Sequence, residues 1–399
     1  MKIFLTGSTG SLGAHFVLRI LQETDHNLTC LARAASQDIA WDRLQDAVNT
    51  YDPHFKLSDH KNQLRVVNGD ISLHNLGLEG ENWATEALHT DIVVHAAADT
   101  SLVNRLTTAK KVNLHGTMEV IRFAEATPKR RLMHVSTYSI CGDQLLTPGF
   151  VFKETDWDVG QTFPHMPYQH SKFLGEGEVR KSKCVTTIVR PGHVFGDSQT
   201  GRFFTRNGHN DSLFWDLLKS AHDFKCSFVT DFIFDITPVN YVSAAMLSFL
   251  THDDLGTFHL CQKDALKFES ILDVMIAMGY EINKLSIDDY RDLLENGSLQ
   301  WNGQKFESMT TQIVSRWFRL KELCFDNGAR IDTTAAREIL EPRGISAAPT
   351  DKELLGSFFR QMHNEEAEEL KKHSKPEAAL SRNPVATDLH AEAELQLTT

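Results

Sequence analysis

Thr6-Gly7-Ser8-Thr9-Gly10-Ser11-Leu12-Gly13 stands between a short apolar run, Ile3-Phe4-Leu5, and a segment with helical periodicity. Apolar residues recur in that segment at the spacing of one helix face, namely at Leu12, Phe16, Val17, Ile20 and Leu21. A glycine-rich turn by itself is often only a loop, but one that leaves a strand and opens a helix is typical of a dinucleotide-binding βαβ unit. Because strand, spacing and helix agree here, the sequence predicts a dinucleotide site at this turn.

The three glycines of this turn have separate roles. Gly7 permits the tight turn out of the strand, Gly10 lets the backbone approach a pyrophosphate, and Gly13 allows close helix packing. The helix N-terminus adds amide hydrogens and the positive end of the helix dipole. We therefore predict that the cofactor contacts Gly7, Thr9, Gly10, Ser11, Leu12 and Gly13.

Up to about residue 250, short apolar runs alternate with longer helical patterns, which is the rhythm of repeated βαβ units. The predicted strands span residues 2–5, 28–31, 64–68, 92–95, 131–135 and 186–189. Parallel strands of this kind need crossover helices on both faces of the sheet. The sequence therefore predicts an α/β fold with a doubly wound parallel Rossmann sheet.

Beyond residue 250 the pattern becomes helix-rich, with predicted helices at 268–278, 286–295 and 306–320. We interpret residues 1–250 as the NADP-binding Rossmann domain, with about 192–235 contributing to the substrate side, and residues 251–365 as a smaller C-terminal substrate lobe. Residues 366–399 carry charges and prolines with few large apolar side chains, which predicts a disordered acidic tail. A docking peptide is the alternative interpretation of that tail.

The end of the second predicted strand, Ala32-Arg33, bears on the choice of cofactor, since it lies about 20 residues beyond the last glycine. The Arg33 guanidinium suits a ribose 2′-phosphate, and no carboxylate stands nearby in the sequence to repel one. This pattern favours NADPH over NADH, although an exposed arginine at a strand end is the alternative. Further cofactor contacts, with loop packing as the alternative, are predicted at Asp70, Ile71, Ala96, Ala97 and Ala98.

Reduction of a carbonyl by a nicotinamide needs a hydroxyl to polarise the oxygen, an acid to protonate it and a cation to adjust that acid. Thr137, Tyr168 and Lys172 supply these groups. Tyr168 and Lys172 are four residues apart, so a helix would place both side chains on one face. Thr137 follows an apolar strand, and we favour it over the adjacent Ser136.

The spacing Tyr-x-x-x-Lys occurs a second time, at Tyr280 and Lys284. About one such match is expected by chance in a chain of this length, because neither residue type is rare. The second pair lies in the predicted C-terminal lobe without a hydroxyl-ended strand before it. We therefore interpret Tyr280 and Lys284 as packing at a helix end.

Composition narrows the remaining classes of function. The formal net charge of -12 argues against a nucleic-acid partner. We find no signal-peptide pattern and no apolar run of membrane-spanning length, and the scattered cysteines are typical of a reducing compartment, so we expect a cytoplasmic protein without a membrane span. Metal-ligand spacing is also missing, which favours packing or rim roles for His134, His165, His170 and His193.

The glycine-rich turn together with Tyr168-x-x-x-Lys172 resembles the extended short-chain dehydrogenases. Finer features are similar to the thioester-reductase branch, which includes terminal reductase domains of non-ribosomal peptide synthetases, the reductase part of carboxylic acid reductases, and fatty acyl reductases. The stretches that carry this likeness include Cys30-Leu31-Ala32-Arg33-Ala34, Gly69-Asp70-Ile71-Ser72, Val112-Asn113-Leu114-His115-Gly116-Thr117 and Gly196-Asp197-Ser198-Gln199-Thr200-Gly201. The likeness continues to about residue 365.

The resemblance implies roles for individual residues. Thr137, Tyr168 and Lys172 would act in hydride transfer, and Asn113 would support a proton-relay water. Arg33 would select NADPH. Pro191, at the end of the last predicted strand, joins the expected cofactor contacts.

The resemblance also implies a substrate, an acyl thioester on a phosphopantetheine arm or on coenzyme A, which is reduced to an aldehyde; whether a second reduction to an alcohol follows stays open. Since the chain starts at the Rossmann strand, we expect the thioester to arrive on a separate carrier protein. Four phenylalanines either wall an acyl pocket or pack in the core, namely Phe224, Phe228, Phe232 and Phe234. Two rivals stay open: a ketone or aldehyde reductase or secondary-alcohol dehydrogenase with the same triad, and a non-catalytic NADPH-binding sensor.

Overall fold

A computed structural model describes residues 1–102, 104–204, 213–230, 233–262, 266–295, 300–301, 304–305 and 328–373. Seven parallel strands form its main sheet. They are β1 (Lys2–Thr6), β2 (Asn27–Ala32), β3 (Leu64–Asn68), β4 (Ile92–His95), β5 (Arg131–Val135), β7 (Val185–Pro191) and β12 (Gly256–Leu260). Paired two-residue or three-residue strands lie outside this sheet, at β6 (Val151–Phe152), β8 (His193–Phe195), β9 (Cys226–Phe228), β10 (Ile233–Phe234), β11 (Ile236–Pro238), β13 (Leu266–Lys267), β14 (Asn283–Leu285), β15 (Gln300–Trp301), β16 (Gln304–Lys305) and β17 (Arg330–Ile331).

The strand order is β12-β7-β5-β4-β1-β2-β3, so the chain builds outward from β1 in one direction and then returns to build outward in the other. The reversal lies between β1 and β4, where Ile3 pairs with Ile92 and Thr6 with His95. Ligands of open α/β sheets bind beyond the carboxyl ends of the strands at such a switch point. A ligand is therefore expected beside the residues that follow β1 and β4.

Within the described residues, the α-helices are α1 (Ser11–Glu23), α2 (Gln37–Asn49), α3 (Gly80–Leu88), α4 (Leu106–Lys110), α5 (Thr117–Ala126), α6 (Pro167–Lys181), α7 (Leu213–Asp223), α8 (Val239–Thr251), α9 (Phe268–Ala277), α10 (Ile287–Glu295), α11 (Thr334–Leu340) and α12 (Lys352–His373). Helices pack on both faces of the sheet. Phe16 of α1 and Phe249 of α8 belong to one buried cluster, whereas Phe123 of α5 packs with Phe4 of β1 in the other. This arrangement confirms the predicted doubly wound α/β fold.

All six predicted strands are present, but the prediction missed the seventh, β12. It lies beyond the predicted domain boundary at residue 250, which itself falls inside α8. The strand lacks an apolar run because His259 and Thr257 interrupt it. His259 is nevertheless fully buried, since its ring nitrogens bond to the Arg190 guanidinium at 3.1 Å and to the Asp332 carbonyl oxygen at 2.7 Å.

The C-terminal region also differs in part from its prediction. Helices α9 and α10 confirm the patterns at 268–278 and 286–295, and the predicted helix at 306–320 lies outside the described residues. Residues 1–360 form one compact unit, and residues 361–399 belong to a second. Helix α12 continues to His373, so the start of the predicted tail, 366–373, is helical; its glutamates and lysines are good helix formers. Residues 374–399 lie outside the described part.

Candidate active site

The turn after β1 is so tight that two of its positions exclude a side chain. Gly7 has a φ of +81°, and a first side-chain carbon there would lie 2.4 Å from the Ala97 amide nitrogen. A carbon added at Gly13 would lie 2.0 Å from the Gly7 carbonyl oxygen. The turn therefore packs directly against the chain after β4, with Ala96 and Ala97 at the switch point.

The same turn leaves the start of α1 open. Gly10 precedes the helix and has no side chain to cap it, and the nearest atom to a carbon added there is the Gly7 carbonyl oxygen at 3.4 Å. The first amide groups of a helix have no partner within the helix, and together with the helix dipole they favour an anion. This geometry fits the pyrophosphate of a dinucleotide.

The charges at the end of β2 correct one expectation. Asp70 lies beside Arg33, with 3.8 Å between Oδ2 and the guanidinium Nη1, so a carboxylate does stand near this arginine. The sequence could not indicate this contact, because it joins the ends of two neighbouring strands. Asp70 Oδ1 also accepts from the Ser72 amide at 2.8 Å. Its predicted contact with adenine, like that of Ile71, stays a prediction.

A second guanidinium lies at the same strand end. Arg43 of α2 donates from Nη1 to the carbonyl oxygen of Arg33, while the Arg33 side chain is 70% exposed. Reasoning from the sequence did not place Arg43 in the site. The contact depends on how α2 folds back on β2.

Thr137 and Tyr168 are brought together by β5 and α6. The Thr137 side chain lies close enough to the Tyr168 phenol to affect its pKa. Burial raises the pKa of Tyr168 to about 12, although the Thr137 side chain acts in the opposite direction. The phenol is therefore protonated at neutral pH and able to donate a proton.

Lys172 lies one turn after Tyr168 on α6 and is 2% exposed. Its Nζ donates to the Val135 carbonyl oxygen at 2.8 Å, at the end of β5. Burial lowers its pKa to about 8, and the charge of Glu176 opposes that shift. Near neutral pH this ammonium is thus close to its titration point, unlike an ordinary surface lysine.

Ser136 has a different environment from its neighbour Thr137. The Ser136 hydroxyl donates to Glu176 Oε2 at 2.6 Å in a buried contact. The Thr137 hydroxyl instead contacts Ser139 Oγ at 2.9 Å. The Ser136 hydroxyl is thus engaged in the interior, which supports the choice of Thr137 as the hydroxyl that faces the phenol.

Asn113 joins the loop after β4 to the helix of Tyr168. Its Nδ2 donates to the Asp99 carbonyl oxygen at 2.8 Å and to Ser171 Oγ at 2.9 Å, and its Oδ1 accepts from the Asp99 amide at 2.7 Å. The Ser171 hydroxyl in turn donates to the Tyr168 carbonyl oxygen. Asn113 lies in a π-helical segment, Lys111–Gly116, a local feature that is frequent at functional sites. Its predicted role with a water molecule stays a prediction.

The sequence analysis did not predict a buried ion pair that joins α6 to β7. Arg190 of β7 bonds to Glu176 at 2.7 Å, and both side chains are fully buried. Arg190 also donates to the Asp156 carbonyl oxygen, and Arg180 pairs with Glu176 at 2.8 Å. These partners keep the pKa of Glu176 below its usual value despite burial, which alone would raise it. The available signals were an arginine inside an apolar strand and a glutamate one turn after Lys172.

Two of the four phenylalanines that could wall an acyl pocket lie in the core instead. Phe228 and Phe234 are 1% and 0% exposed and contact Phe268, so they form core rather than an acyl pocket. Phe224 is half-buried, and Phe232 lies outside the described residues. Within the described parts of the chain, no cluster of three or more histidine, cysteine or acidic side chains is arranged to hold a metal ion, and no helix is long and apolar enough to cross a membrane.

Comparison with known proteins agrees with this geometry. Residues 5–246 match the model of an NAD-binding family described as male sterility protein. The chain belongs to that family. The nonribosomal peptide synthetase asaC of Aspergillus flavus is 26% identical over 86% of this chain, and L-2-aminoadipate reductase of Schizosaccharomyces pombe is 25% identical over 73%. The matched regions are only 34% and 21% of those much longer proteins.

Solved structures share the fold. The terminal R domain of the myxalamid PKS-NRPS pathway has a TM-score of 0.80 at 23% identity, covering 92% of this chain and 91% of that one. The reductase domain of a non-ribosomal peptide synthetase from Mycobacterium tuberculosis has a TM-score of 0.71 at 20% identity, with 91% of each chain covered. The predicted resemblance to such reductase domains is confirmed.

Proposed function

We propose that this protein is an NADPH-dependent reductase that converts an acyl thioester to an aldehyde and a free thiol. The observation that carries the proposal is the contact between Thr137 and the protonated Tyr168 phenol, with Lys172 one turn further on, beside an open dinucleotide turn. The proposal of a thioester rests on the relatives, which include an L-2-aminoadipate reductase and a nonribosomal peptide synthetase.

The dinucleotide is held by the turn after β1 and by the ends of β2 and β4. Gly7, Gly10 and Gly13 leave the start of α1 accessible to the pyrophosphate, and Ala96 to Ala98 border the switch point. A bound reduced nicotinamide supplies the hydride. Pro191 ends β7 on the side where the nicotinamide is expected.

Selection of NADPH is assigned to the two guanidiniums at the end of β2. Arg33 is largely exposed, and its contact to Asp70, at 3.8 Å, is too long for a strong hydrogen bond. A 2′-phosphate offers a higher charge and more acceptors than that one carboxylate oxygen. Arg43, anchored on the Arg33 carbonyl oxygen, adds a second positive charge.

The chain's own groups act on the carbonyl oxygen of the substrate. The Thr137 and Tyr168 hydroxyls donate to that oxygen, and Tyr168 transfers its proton as the carbonyl carbon gains the hydride. Lys172 stabilises the phenolate that remains. The product is a hemithioacetal. Its O–H proton returns to the Tyr168 phenolate as the C–S bond breaks, which leaves the aldehyde carbonyl, and the departing thiolate takes a proton from solvent to become the free thiol.

The substrate is proposed to reach the site on a phosphopantetheine arm of a carrier protein or on coenzyme A. A similar fold occurs in a thiolation-reductase di-domain of an archaeal non-ribosomal peptide synthetase, with a TM-score of 0.72 at 19% identity, covering 92% of this chain and 76% of that one. A long flexible arm suits a reacting group that lies beyond the carboxyl ends of the strands.

The test is NADPH oxidation followed together with free thiol, for acyl-coenzyme A and acyl-pantetheine thioesters and for matched aldehydes and ketones. We expect thiol release equal to the NADPH consumed in the first reduction, and its loss in Tyr168→Phe. Turnover of aldehydes or ketones without thiol release would assign the protein to carbonyl reduction instead. Tight NADPH binding without any turnover would favour the sensor.

A further inference from the structure

His193 occupies the first position of β8, directly after Pro191 and Gly192. Its side chain is exposed, whereas the rings beside it, Tyr138 and Phe234, are 7% and 0% exposed. Both rings meet the imidazole edge to face, at 6.1 Å and 5.9 Å between centroids. His193 is thus an accessible polar group that packs against two buried aromatic rings.

One of these two rings is next in sequence to a proposed catalytic residue. Tyr138 is the residue after Thr137, whose side chain lies near the Tyr168 phenol and affects its pKa. His193 Nδ1 lies 3.4 Å from the Tyr138 hydroxyl oxygen. The His193 imidazole therefore contacts the residue that directly follows Thr137.

The state of the imidazole follows from its surroundings. Desolvation by the surrounding protein lowers the pKa of His193 to about 4. The ring is neutral at physiological pH, so one nitrogen donates and the other accepts. When the Tyr138 hydroxyl donates to Nδ1, the proton lies on Nε2, the ring nitrogen that does not face Tyr138.

We propose that His193 Nε2 donates a hydrogen bond to an amide carbonyl oxygen of the bound thioester. This proposal deepens the proposed function and rests on it. A neutral N–H group beside aromatic rings favours a neutral, strong acceptor over an anion, since the neutral ring brings no charge to balance one. An amide carbonyl has that chemistry, and two parts of a carrier-bound peptidyl thioester contain it: the acyl group and the pantetheine arm.

The test measures binding of non-reducible thioether analogues, in which CH2–S replaces the thioester CO–S. One analogue has an amide in the acyl group, one has it in the arm, and each has a partner of equal length with CH2–CH2 in place of the amide. We expect His193→Phe, which keeps a ring but removes both nitrogens, to raise Kd about tenfold for one of the two amide analogues. The analogue affected identifies the source of the carbonyl.

Two further variants control the result. His193→Gln keeps an N–H donor and is expected to recover most of the lost affinity, which a role in packing alone would not allow. His252→Phe changes an exposed histidine at the end of α8 and should leave every Kd unchanged. Equal losses for an amide analogue and its CH2–CH2 partner, or no loss for any analogue, would overturn the proposal. Thiol release by the unmodified protein tests the proposed function separately.

Discussion

Tyr168 and Lys172 have the same spacing as Tyr280 and Lys284, but the two pairs lie in different structural settings. The first pair lies on one helix, α6, whereas Tyr280 follows the end of α9 and Lys284 lies in the short strand β14. The Tyr280 hydroxyl donates to the Phe359 carbonyl oxygen at 3.3 Å. The interpretation of Tyr280 as helix-end packing is confirmed, and that of Lys284 is corrected to a strand position.

The two lysines also differ in charge environment. Lys284 pairs with Asp273 and with Glu269, and the bond to Asp273 contributes most to a raised pKa. Burial instead lowers the pKa of Lys172. The four-residue spacing therefore gives a catalytic pair only where a helix places both side chains on one face and burial lowers the pKa of the lysine toward neutral pH.

The tyrosines provide the largest expected difference. Tyr168→Phe removes the proton donor and should lower kcat at least about 1000-fold with any accepted thioester, because general acid catalysis and oxyanion stabilisation are lost together. Tyr280→Phe removes only a bond to a backbone oxygen and should leave kcat within about twofold. Initial rates of NADPH oxidation measure both. A similar loss in the two variants would contradict the assignment.

The ion pair below α6 should have the next largest effect, on stability. Arg190→Met leaves the Glu176 carboxylate buried without its main partner and should lower the free energy of unfolding by about 3–5 kcal/mol. Lys284→Met removes one partner of a partly exposed ion pair and should lower that free energy by at most about 1 kcal/mol. Urea denaturation gives both values. Combining Arg190→Met with Glu176→Met should recover much of the loss; a double variant as unstable as the sum of its parts would argue against coupling.

The lysines should also differ in their pH dependence. Lys172 is charged below its pKa of about 8 and neutral above it, so kcat/KM for NADPH should fall about tenfold per pH unit above that value. The Lys284→Met variant should show the same decline of kcat/KM with pH. The Lys172→Met variant should show no such decline and should have a low kcat/KM at every pH. A decline that survives in Lys172→Met would assign the titration to another group.

The smallest effect concerns the cofactor. Arg33→Ala should raise KM for NADPH about 10- to 100-fold and leave KM for NADH nearly unchanged, since only the 2′-phosphate loses a charge-assisted bond. Arg65→Ala serves as a matched control, because that exposed arginine pairs with Glu86 instead. Equal changes for NADPH and NADH in Arg33→Ala would show that Arg33 acts through general folding rather than recognition.

Local pattern accounts for what the sequence could predict. The six strands and the turn from Thr6 to Gly13 have their signals within a few residues, and Thr137 and Tyr168 follow from strand and helix context. Contacts between distant segments carry no such signal. The pairing of Arg190 with Glu176, the approach of Asp70 to Arg33, and the sheet position of β12 all depend on how separate strands come together.

Transfer of deuterium from NADPH labelled at nicotinamide C4 to the product of thioester reduction tests the central claim most directly. With each C4 face labelled in turn, one label should give an aldehyde that carries a single deuterium on its carbonyl carbon, with one thiol released per aldehyde, and Tyr168→Phe should give neither. Thiol release without deuterium on that carbon would mean hydrolysis rather than reduction, and would contradict the account.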